Sequence, residues 1–267
     1  PQPPPLQPPP LQPPPPTAPV PPAPAYQPQI TIPEPHRAVP RETEIRRRVI
    51  LPDAHIPFHD RLTWAVVLGI LREWLPHEGV ILGDWLDLAS LSFHPKSKPD
   101  LQRLSEEYYA GNVALDQVQA ATPDTAWTVL EGNHEHRAVK YANELGELDG
   151  LLTVAEQLYL APPANSYHRS QPLLRGIRWV PLGAQPYLAP DSAFFHGLGF
   201  ESQHFAPMIA AMYVPSKSRG LPTFSGHMHS FNHAPAKGFP GSYSQSCGWL
   251  GDESAHDHGQ RHTDGLR

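Results

Sequence analysis

The chain has 267 residues, and its 26 Asp and Glu outnumber its 20 Lys and Arg, which gives a net charge of −6. Its one cysteine, Cys247, excludes an internal disulfide framework and a Cys-rich zinc module. No apolar run approaches the ~18–20 residues of a membrane-spanning helix, so we expect no membrane span.

Residues 1–47 are predicted to be a disordered, proline-rich tail. Residues 1–40 hold 19 of the 36 prolines, and the run Leu-Gln-Pro-Pro-Pro at 6–10 repeats at 11–15. Proline fixes φ and lacks an amide donor, so this stretch favours an extended polyproline II conformation over helix or strand. We expect it to act as a tether, with binding of a proline-recognising partner as the alternative.

Strands and helices alternate after the tail. Apolar runs predict strands at 49–51, 80–82, 127–130, 177–181, 193–195, 223–225 and 242–246. Helices are predicted from Asp60 to about Trp74, over 101–119, from about His134 and over 205–213. This alternation predicts an α/β domain over residues 48–250, followed by a polar, His-containing tail over 251–267.

Side chains that can bind metals follow five of the predicted strands. In chain order they are Asp53, His55, Asp84, Asp87, Asn133, His134, His196, His227 and His229. Ligands of open α/β sheets collect at the carboxyl ends of the strands, so we expect these side chains to lie close together. Imidazole and carboxylate suit Mn, Fe, Zn, Ni or Co, and two such ions form the arrangement for phosphoester displacement.

Two local features of these motifs favour convergence. Asp53 and His55 are separated by one residue, as are His227 and His229, and in extended backbone both members of such a pair project to the same side. Glycine precedes three of the groups, at 83, 132 and 226, where we expect the chain to turn sharply.

In this order, the motifs D-x-H, G-D-x-x-D, G-N-H-E, H and G-H-x-H resemble those of the calcineurin-like metallophosphoesterases, in the compact form common in phage and bacterial genomes. The resemblance covers about residues 48–250. It implies a four-layer α/β/β/α sandwich and a metal-dependent hydrolase of phosphate mono- or diesters, with nucleotide-like esters among the substrates. The start of the sequence shows no basic-then-apolar signal pattern, which favours the cytoplasm, and the resemblance implies that of a bacterium or of a phage-infected host cell.

The resemblance implies a role for each residue. Asp53, His55 and His229 would bind the first ion. Asn133, His196 and His227 would bind the second ion, and Asp84 would bind both. A hydroxide bridging the two ions, with Mn the expected metal, would attack phosphorus. His134, held by Asp87, would protonate the leaving oxygen, a contribution worth ~10²–10⁴-fold in rate.

One departure from the family pattern concerns phosphate binding. Leu88 stands where many relatives have an Arg that contacts phosphate. The metals and Asn133 would then hold the phosphate, together with Arg137 or with Lys96 and Lys98.

The sequence leaves the roles of two further side chains open. Trp85 would either stack on an aromatic leaving group or pack against neighbouring loops, and Cys247 is expected to be a small core residue rather than a nucleophile.

Two other functions remain as alternatives. A nuclease acting on DNA or RNA ends would be expected to show a basic surface. Residues 1–48 hold five Arg and three Glu, so the remaining residues carry a net charge of −8, which argues against broad duplex binding. A non-catalytic metal-binding scaffold is disfavoured because His134 and every ligand position of the family pattern are present.

Overall fold

The computed structural model describes residues 46–92, 103–145, 153–161, 174–197, 218, 220–236 and 239–252. Its helices and strands, in chain order, are β1 Arg48–Leu51, α1 Arg61–Trp74, β2 Glu78–Ile81, α2 Leu104–Ala121, β3 Ala126–Leu130, α3 Asn133–Leu145, α4 Val154–Gln157, β4 Arg178–Val180, β5 Tyr187–Leu188, β6 Ala193–Phe195, β7 Thr223–Ser225, β8 Phe231–Pro235 and β9 Tyr243–Cys247.

The first helix follows directly from its local sequence. The Asp60 side chain accepts a hydrogen bond from the Thr63 backbone N–H at 2.6 Å, which caps the start of α1. One face of α1 is buried, through Trp64 and through Leu68 and Leu71. The predicted helix from Asp60 to about Trp74 is therefore confirmed.

Strands β1 to β4 form a parallel sheet in the order β1-β2-β3-β4. Helix α1 joins β1 to β2, α2 joins β2 to β3, and α3 and α4 lie between β3 and β4. Right-handed crossovers between strands that follow chain order place the helices on one face of the sheet. A hydrophobic cluster accordingly contains buried residues of all four helices together with Ile81, Trp127 and Val129 of the sheet.

Strands β5 to β9 form a second, mixed sheet in the order β5-β6-β7-β9-β8. Strands β6, β7 and β9 are parallel, and β5 and β8 are antiparallel at the two edges. A second hydrophobic cluster joins Val80, Leu82 and Leu130 of the first sheet region to Phe194 of the second sheet. Ile81 belongs to the helix-facing cluster because successive strand residues point to opposite faces. The two sheets therefore pack face to face.

The mixed α/β architecture agrees with the prediction. All seven predicted strands are present within two residues of their predicted ends, while α2 begins at Leu104 and ends at Ala121 instead of spanning 101–119. Strands β5 and β8 and helix α4 were not predicted. The helix predicted over 205–213 and the tail over 1–45 lie outside the described residues. Within the described part of the chain, no helix has the length and apolar character needed to cross a membrane.

Candidate metal centre

Backbone hydrogen bonds between the loops after β1 and β2 align the first two motifs. The His55 N–H donates to the Asp84 carbonyl at 2.9 Å, and the Ile56 N–H donates to the Trp85 carbonyl at 2.9 Å. In return, the Asp87 N–H donates to the Ile56 carbonyl at 3.0 Å. The two loops thus continue the pairing of β1 and β2 beyond the strand ends and set the side chains of both motifs beside each other.

Four of the candidate ligands have a left-handed rather than an extended backbone conformation. His55, Asp84, His227 and His229 have φ values of 49°, 46°, 68° and 50°. Non-glycine residues avoid this region because of steric strain, and such strain concentrates at functional sites. The side chains of the D-x-H and H-x-H pairs do converge, but the expected reason, alternation along an extended segment, is wrong.

Two of the three motif glycines are required by close approach, not by a sharp turn. A Cβ atom on Gly226 would lie 2.7 Å from both carboxylate oxygens of Asp53. A Cβ atom on Gly132 would lie 2.2 Å from the backbone nitrogen and the Oδ1 atom of Asp84. Only Gly83, with φ of 99°, also needs the conformational freedom of glycine. Glycine at 132 and 226 therefore leaves the space that two buried carboxylates fill.

The first group of candidate ligands contains Asp53, His55, Asp84 and His229. One ligand atom from each lies within 4.8 Å of the others. The His55 Nε2 and His229 Nε2 atoms are 3.0 Å apart. Two nitrogen ligands of one transition metal lie about 3 Å apart when each bond is about 2.1 Å long and the bonds are perpendicular. The spacing in this group fits a single bound cation.

The second group contains Asp84, His196 and His227, whose ligand atoms also lie within 4.8 Å of one another. The Asn133 Oδ1 atom, at the start of α3, is 2.7 Å from the His196 Nε2 atom. The His196 Nδ1–H donates to the Leu82 carbonyl at 3.0 Å, which leaves Nε2 as the atom that faces the group.

Asp84 belongs to both groups, and its two oxygens have different surroundings. Oδ1 accepts the His134 backbone N–H at 2.9 Å, at the start of α3. Oδ2 lies 3.3 Å from His196 Nε2 and 3.8 Å from His55 Nε2. The hydrogen bond to Oδ1 fixes the carboxylate so that Oδ2 is directed between the two groups.

The buried charges of the centre call for a cation. The Asp53 Oδ1 atom is buried without a hydrogen-bond partner among the described residues. Burial raises the pKa of Asp53 to about 8. Burial alone would lower the pKa of His196, but the adjacent Asp84 carboxylate outweighs it and raises the pKa to about 9. Near neutral pH one proton therefore neutralises the Asp53 carboxyl and another gives His196 a positive charge, and a bound cation would replace both protons.

Two other candidate ligands, His55 and His227, are in the form that binds metals. Burial lowers the pKa of His55, and it lowers the pKa of His227 to about 4 with help from the positive charge of His196. Neutral imidazole has a free nitrogen lone pair, which is the donor that a metal ion requires. The structure therefore contains buried His and Asp groups that could hold a metal ion.

His134 and Asp87 lie beside the first group. His134 Nδ1 is 2.6 Å from the Asp87 carbonyl oxygen and 3.3 Å from the Asp87 Oδ1 atom. The same Oδ1 atom is 2.9 Å from His55 Nδ1. Asp87, which the resemblance assigns to hold His134, makes its closest contact to His134 through its backbone carbonyl. Its carboxylate contacts both His134 and the candidate ligand His55.

Arg137 lies one turn of α3 after His134. Its Nη1 donates to the Asp87 carbonyl at 2.9 Å, and its Nη2 is 2.9 Å from His134 Nε2. A guanidinium group only donates hydrogen bonds, so His134 Nε2 accepts in this arrangement. Arg137, expected to bind phosphate, is placed at the edge of the centre. Lys96 and Lys98, the other expected phosphate contacts, lie outside the described residues.

Sequence reasoning assigned no role to Glu135, which cross-links the motifs. Its Oε2 accepts the backbone N–H groups of Asp84 at 3.0 Å and Gly132 at 2.9 Å, and its Oε1 accepts that of Leu86 at 2.8 Å. Glu135 is 1% exposed, so these donors have no access to water. A glutamate three residues after the residue that precedes a helix is the sequence signal of a capping box. This signal could have predicted the hydrogen bond from the Gly132 N–H to Glu135.

The segment after β9 also contacts the candidate site, although the sequence analysis assigned it no role there. The Trp249 ring stacks on the His229 ring, with centroids 4.6 Å apart and planes 7° from parallel. The Leu250 N–H donates to the Asp53 carbonyl at 2.8 Å, and the Asp252 N–H donates to the Phe58 carbonyl at 2.7 Å. The chain therefore pairs with the first motif loop for two residues beyond the predicted domain end at 250.

Two alternatives left open by the sequence are settled by burial. Trp85 is fully buried, donates from its indole to the Gly111 carbonyl at 3.1 Å and packs edge-on against Trp64, so it is a core residue. Cys247 packs against the inter-sheet cluster, and burial raises the pKa of its thiol to about 12. A thiol that stays protonated is a poor nucleophile, in agreement with the expectation.

No family model matches the chain. A stretch of 108 residues is 32% identical to the Gene 54 protein of Mycobacterium phage L5, and a stretch of the same length is 32% identical to the Gene 54 protein of Mycobacterium phage D29. Each match covers 37% of this chain. The chain spans 40% of the length of these curated relatives, and over that part it is similar to two mycobacteriophage proteins.

Proposed function

We infer that this protein is a two-metal hydrolase of phosphate esters, of the compact calcineurin-like metallophosphoesterase type and with its four-layer sandwich. The observation that carries the proposal is the position of Asp84, whose Oδ2 atom faces a ligand group on each side. A carboxylate shared by two groups of ligands is the feature that a pair of neighbouring cations requires. The partial similarity to two phage proteins agrees with the phage and bacterial setting of the resemblance.

The donor set fits a pair of divalent transition metals. Three residues on each side of Asp84 supply nitrogen or oxygen, namely Asp53, His55 and His229 for one ion and Asn133, His196 and His227 for the other. With no thiolate among them, this set suits Mn, Fe, Zn, Ni or Co. When bound, such a pair acidifies a water molecule and neutralises negative charge on a phosphoryl group.

The contacts of His134 support a role as the general acid. Its Nδ1–H is held by the Asp87 carbonyl, so the other ring nitrogen, Nε2, is the atom that can transfer a proton. Nε2 lies 3.9 Å from Asp84 Oδ2, close to both ligand groups. Burial would lower the pKa of His134, but the Asp84 and Asp87 carboxylates outweigh this effect and raise it. A leaving-group oxygen held over the centre would therefore meet a protonated imidazole.

Arg137 couples phosphate binding to this acid. In the structure its Nη2 donates to His134 Nε2, a contact that is incompatible with a proton on that nitrogen. A phosphate oxygen is a stronger acceptor because it is charged, and it would take the Arg137 hydrogen bond for itself. Substrate binding would then free Nε2 to carry the proton that it donates. Arg137 would then contact the phosphate, which the apolar Leu88 cannot do.

The proposal is tested by turnover and metal content measured on the same samples. Mn²⁺-loaded protein should hydrolyse p-nitrophenyl phosphate or its bis-ester, and EDTA should abolish the reaction. His134→Ala should lower kcat by ~10²–10⁴-fold while leaving metal content unchanged. Arg137→Ala should mainly raise KM. No hydrolysis of either ester, or equal loss of turnover and metal in His134→Ala, would contradict the assignment.

A matched control is available on the same helix. His136 is two residues from His134, and its Nδ1 contacts the Glu131 carboxylate at 3.1 Å, outside both ligand groups. His136→Ala should keep kcat within about twofold, since it removes a histidine without touching the centre. Incubation with labelled single-stranded DNA and RNA under the same conditions separates a simple phosphoesterase from a nuclease, because only the nuclease would shorten the strands.

A further inference from the structure

The candidate ligands of the second group come from both sheets. Asn133 follows β3 of the first sheet by three residues, and His196 follows β6 of the second sheet directly. Among the described strands, β3 and β6 lie in different sheets, so strand pairing does not set the distance between their ends. The 2.7 Å separation of the Asn133 Oδ1 and His196 Nε2 atoms is therefore set by contacts of loops and side chains.

Gln185 connects the ends of these two strands through its side-chain amide. Its Nε2 donates to the backbone carbonyl of Glu131, the first residue after β3, at 2.7 Å. Its Oε1 accepts the backbone N–H of His196, the first residue after β6, at 2.6 Å. A carbonyl only accepts and an N–H only donates, so a single orientation of the amide satisfies both bonds. The side chain thus bridges the two sheets beside the second group.

The turn that carries Gln185 is itself fixed to Glu131. Residues Leu182–Ala184 form a short 3₁₀ turn, and the Leu182 N–H donates to the Glu131 Oε2 atom at 2.8 Å. The Glu131 N–H donates in turn to the Val180 carbonyl of β4 at 2.9 Å. Glu131 is 6% exposed, so these bonds form away from water. Gln185 is therefore anchored to the first sheet through its turn as well as through its amide.

His196 has two attachments, and they fix different parts of the residue. Its ring is held by the Leu82 carbonyl, which accepts from Nδ1–H at 3.0 Å. Its backbone N–H is held by Gln185. His196 is fully buried, so water cannot replace the Gln185 oxygen once that oxygen is removed. The His196 backbone would then shift to find another acceptor, and its ring nitrogen would move relative to Asn133.

We propose that Gln185 is a positioning residue for the second metal ion, a role that rests on the two-metal centre of the proposed function. It keeps the His196 Nε2 atom at ligand spacing from the Asn133 Oδ1 atom. Two ligand atoms of one transition metal lie about 3 Å apart, and the observed 2.7 Å is close to this value. Residues that orient metal ligands typically contribute ~10–100-fold to metal affinity.

The contacts of Gln185 make the expected effect selective for one ion. Neither of its two hydrogen bonds reaches a residue of the first group, whose members are Asp53, His55, Asp84 and His229. Loss of the amide should therefore weaken the binding of one ion and leave the other ion in place. A residue that only stabilised the fold would instead affect both ions or neither.

The proposal is tested with Gln185→Met, which keeps the length of the side chain but removes both hydrogen bonds. Wild type and variant would be stripped with a chelator and titrated with Mn²⁺ by calorimetry. We expect two binding events per chain in the wild type. In Gln185→Met, the affinity of one event should fall by ~10–100-fold, while the other stays within about twofold. Electron paramagnetic resonance gives a second readout, because the signal of a magnetically coupled Mn²⁺ pair should be replaced by that of an isolated ion.

Gln119 provides a matched control on α2. Its amide also makes two hydrogen bonds, donating to the Arg175 carbonyl at 3.1 Å and accepting from the Arg175 Nη1 atom at 2.9 Å. Neither residue belongs to a ligand group. Gln119→Met removes the same number of hydrogen bonds and should bind both ions with wild-type affinity.

The outcomes separate this inference from the proposed function. A Gln185→Met protein that binds both ions as tightly as the wild type, or that weakens both equally, overturns the positioning role and leaves the two-metal centre intact. Equal losses in Gln185→Met and Gln119→Met also overturn it, because they indicate a general loss of stability. A wild type that binds fewer than two ions contradicts the proposed function itself, and the inference with it.

Discussion

Replacing Glu135 tests whether the motif loops are held by one buried carboxylate. Glu135→Ala removes the acceptor for the backbone N–H groups of Asp84, Leu86 and Gly132. Each buried donor left unsatisfied costs ~1–3 kcal/mol, so the loss should be roughly 3–9 kcal/mol of unfolding free energy. This is comparable to the total stability of ordinary domains, so Glu135→Ala is expected to be barely folded or unfolded.

Glu135→Gln preserves the shape of the side chain and allows a quantitative comparison. Its amide oxygen can occupy the Oε2 position, where it still accepts from Asp84 and Gly132, while its NH₂ group faces the Leu86 N–H. We expect a loss of ~2–6 kcal/mol, because the Leu86 N–H and the amide NH₂ that faces it are both left without an acceptor. Because the Asp84 loop shifts, Mn²⁺ affinity should also fall by ~10–100-fold. Urea unfolding of the metal-free protein gives the first quantity, and calorimetric titration gives the second.

Glu106 provides the matched control. It occupies the same position of α2 as Glu135 does of α3, and its Oε2 accepts the Arg103 backbone N–H at 3.1 Å, but it is exposed to water. Glu106→Ala should cost below about 1 kcal/mol, since water replaces the lost acceptor. If Glu135→Gln and Glu135→Ala were no more destabilising than Glu106→Ala, the three buried hydrogen bonds would not hold the loops and the reasoning would be wrong.

Two further predictions concern the ligand shell. The raised pKa of His196, about 9, stabilises the metal-free fold fully below pH 6.5, and this stabilisation is lost as the pH rises through 9. Melting of EDTA-treated protein should therefore show a loss on the order of 3 kcal/mol from His196 between these values. His196→Gln should remove this part of the loss, while Asp53, whose pKa is about 8, still loses a proton in the same range. Trp249→Ala, which removes the ring stacked on His229, should weaken Mn²⁺ binding about tenfold, and Trp249→Phe should restore most of it. A flat pH profile in the wild type, or equal affinities of the two Trp249 variants, would contradict these expectations.

The parts of the fold set by local signals were predictable from the sequence. Helix α1 has a capping Asp60 and a clear apolar period, and the buried strands are short apolar runs between turns. Edge strand β8 was missed because its sequence, Phe-Asn-His-Ala-Pro, is half exposed and contains no apolar run. Strand β5 is two residues long, too short to show any pattern.

The candidate site was predictable as a set of residues but not as a geometry. The rule that ligands gather at strand ends brought the nine side chains together without coordinates. It did not reveal the left-handed backbone of His55 and His229, because the strain there is offset by loop contacts distant in sequence. The hydrogen bonds of Glu135 to Asp84 and Leu86 also required coordinates, since they join segments that are distant in the sequence.

The most direct test of the account is the number of metal ions bound per chain. The protein would be stripped with a chelator, reloaded with Mn²⁺, freed of excess metal and measured by elemental analysis. We expect two ions per chain in the wild type and in Asp60→Asn, a variant that keeps the α1 cap. Asp84→Asn should lose metal from both groups, because both share that carboxylate. A wild type that binds no metal, or an Asp84→Asn protein that still binds two ions, would contradict the account.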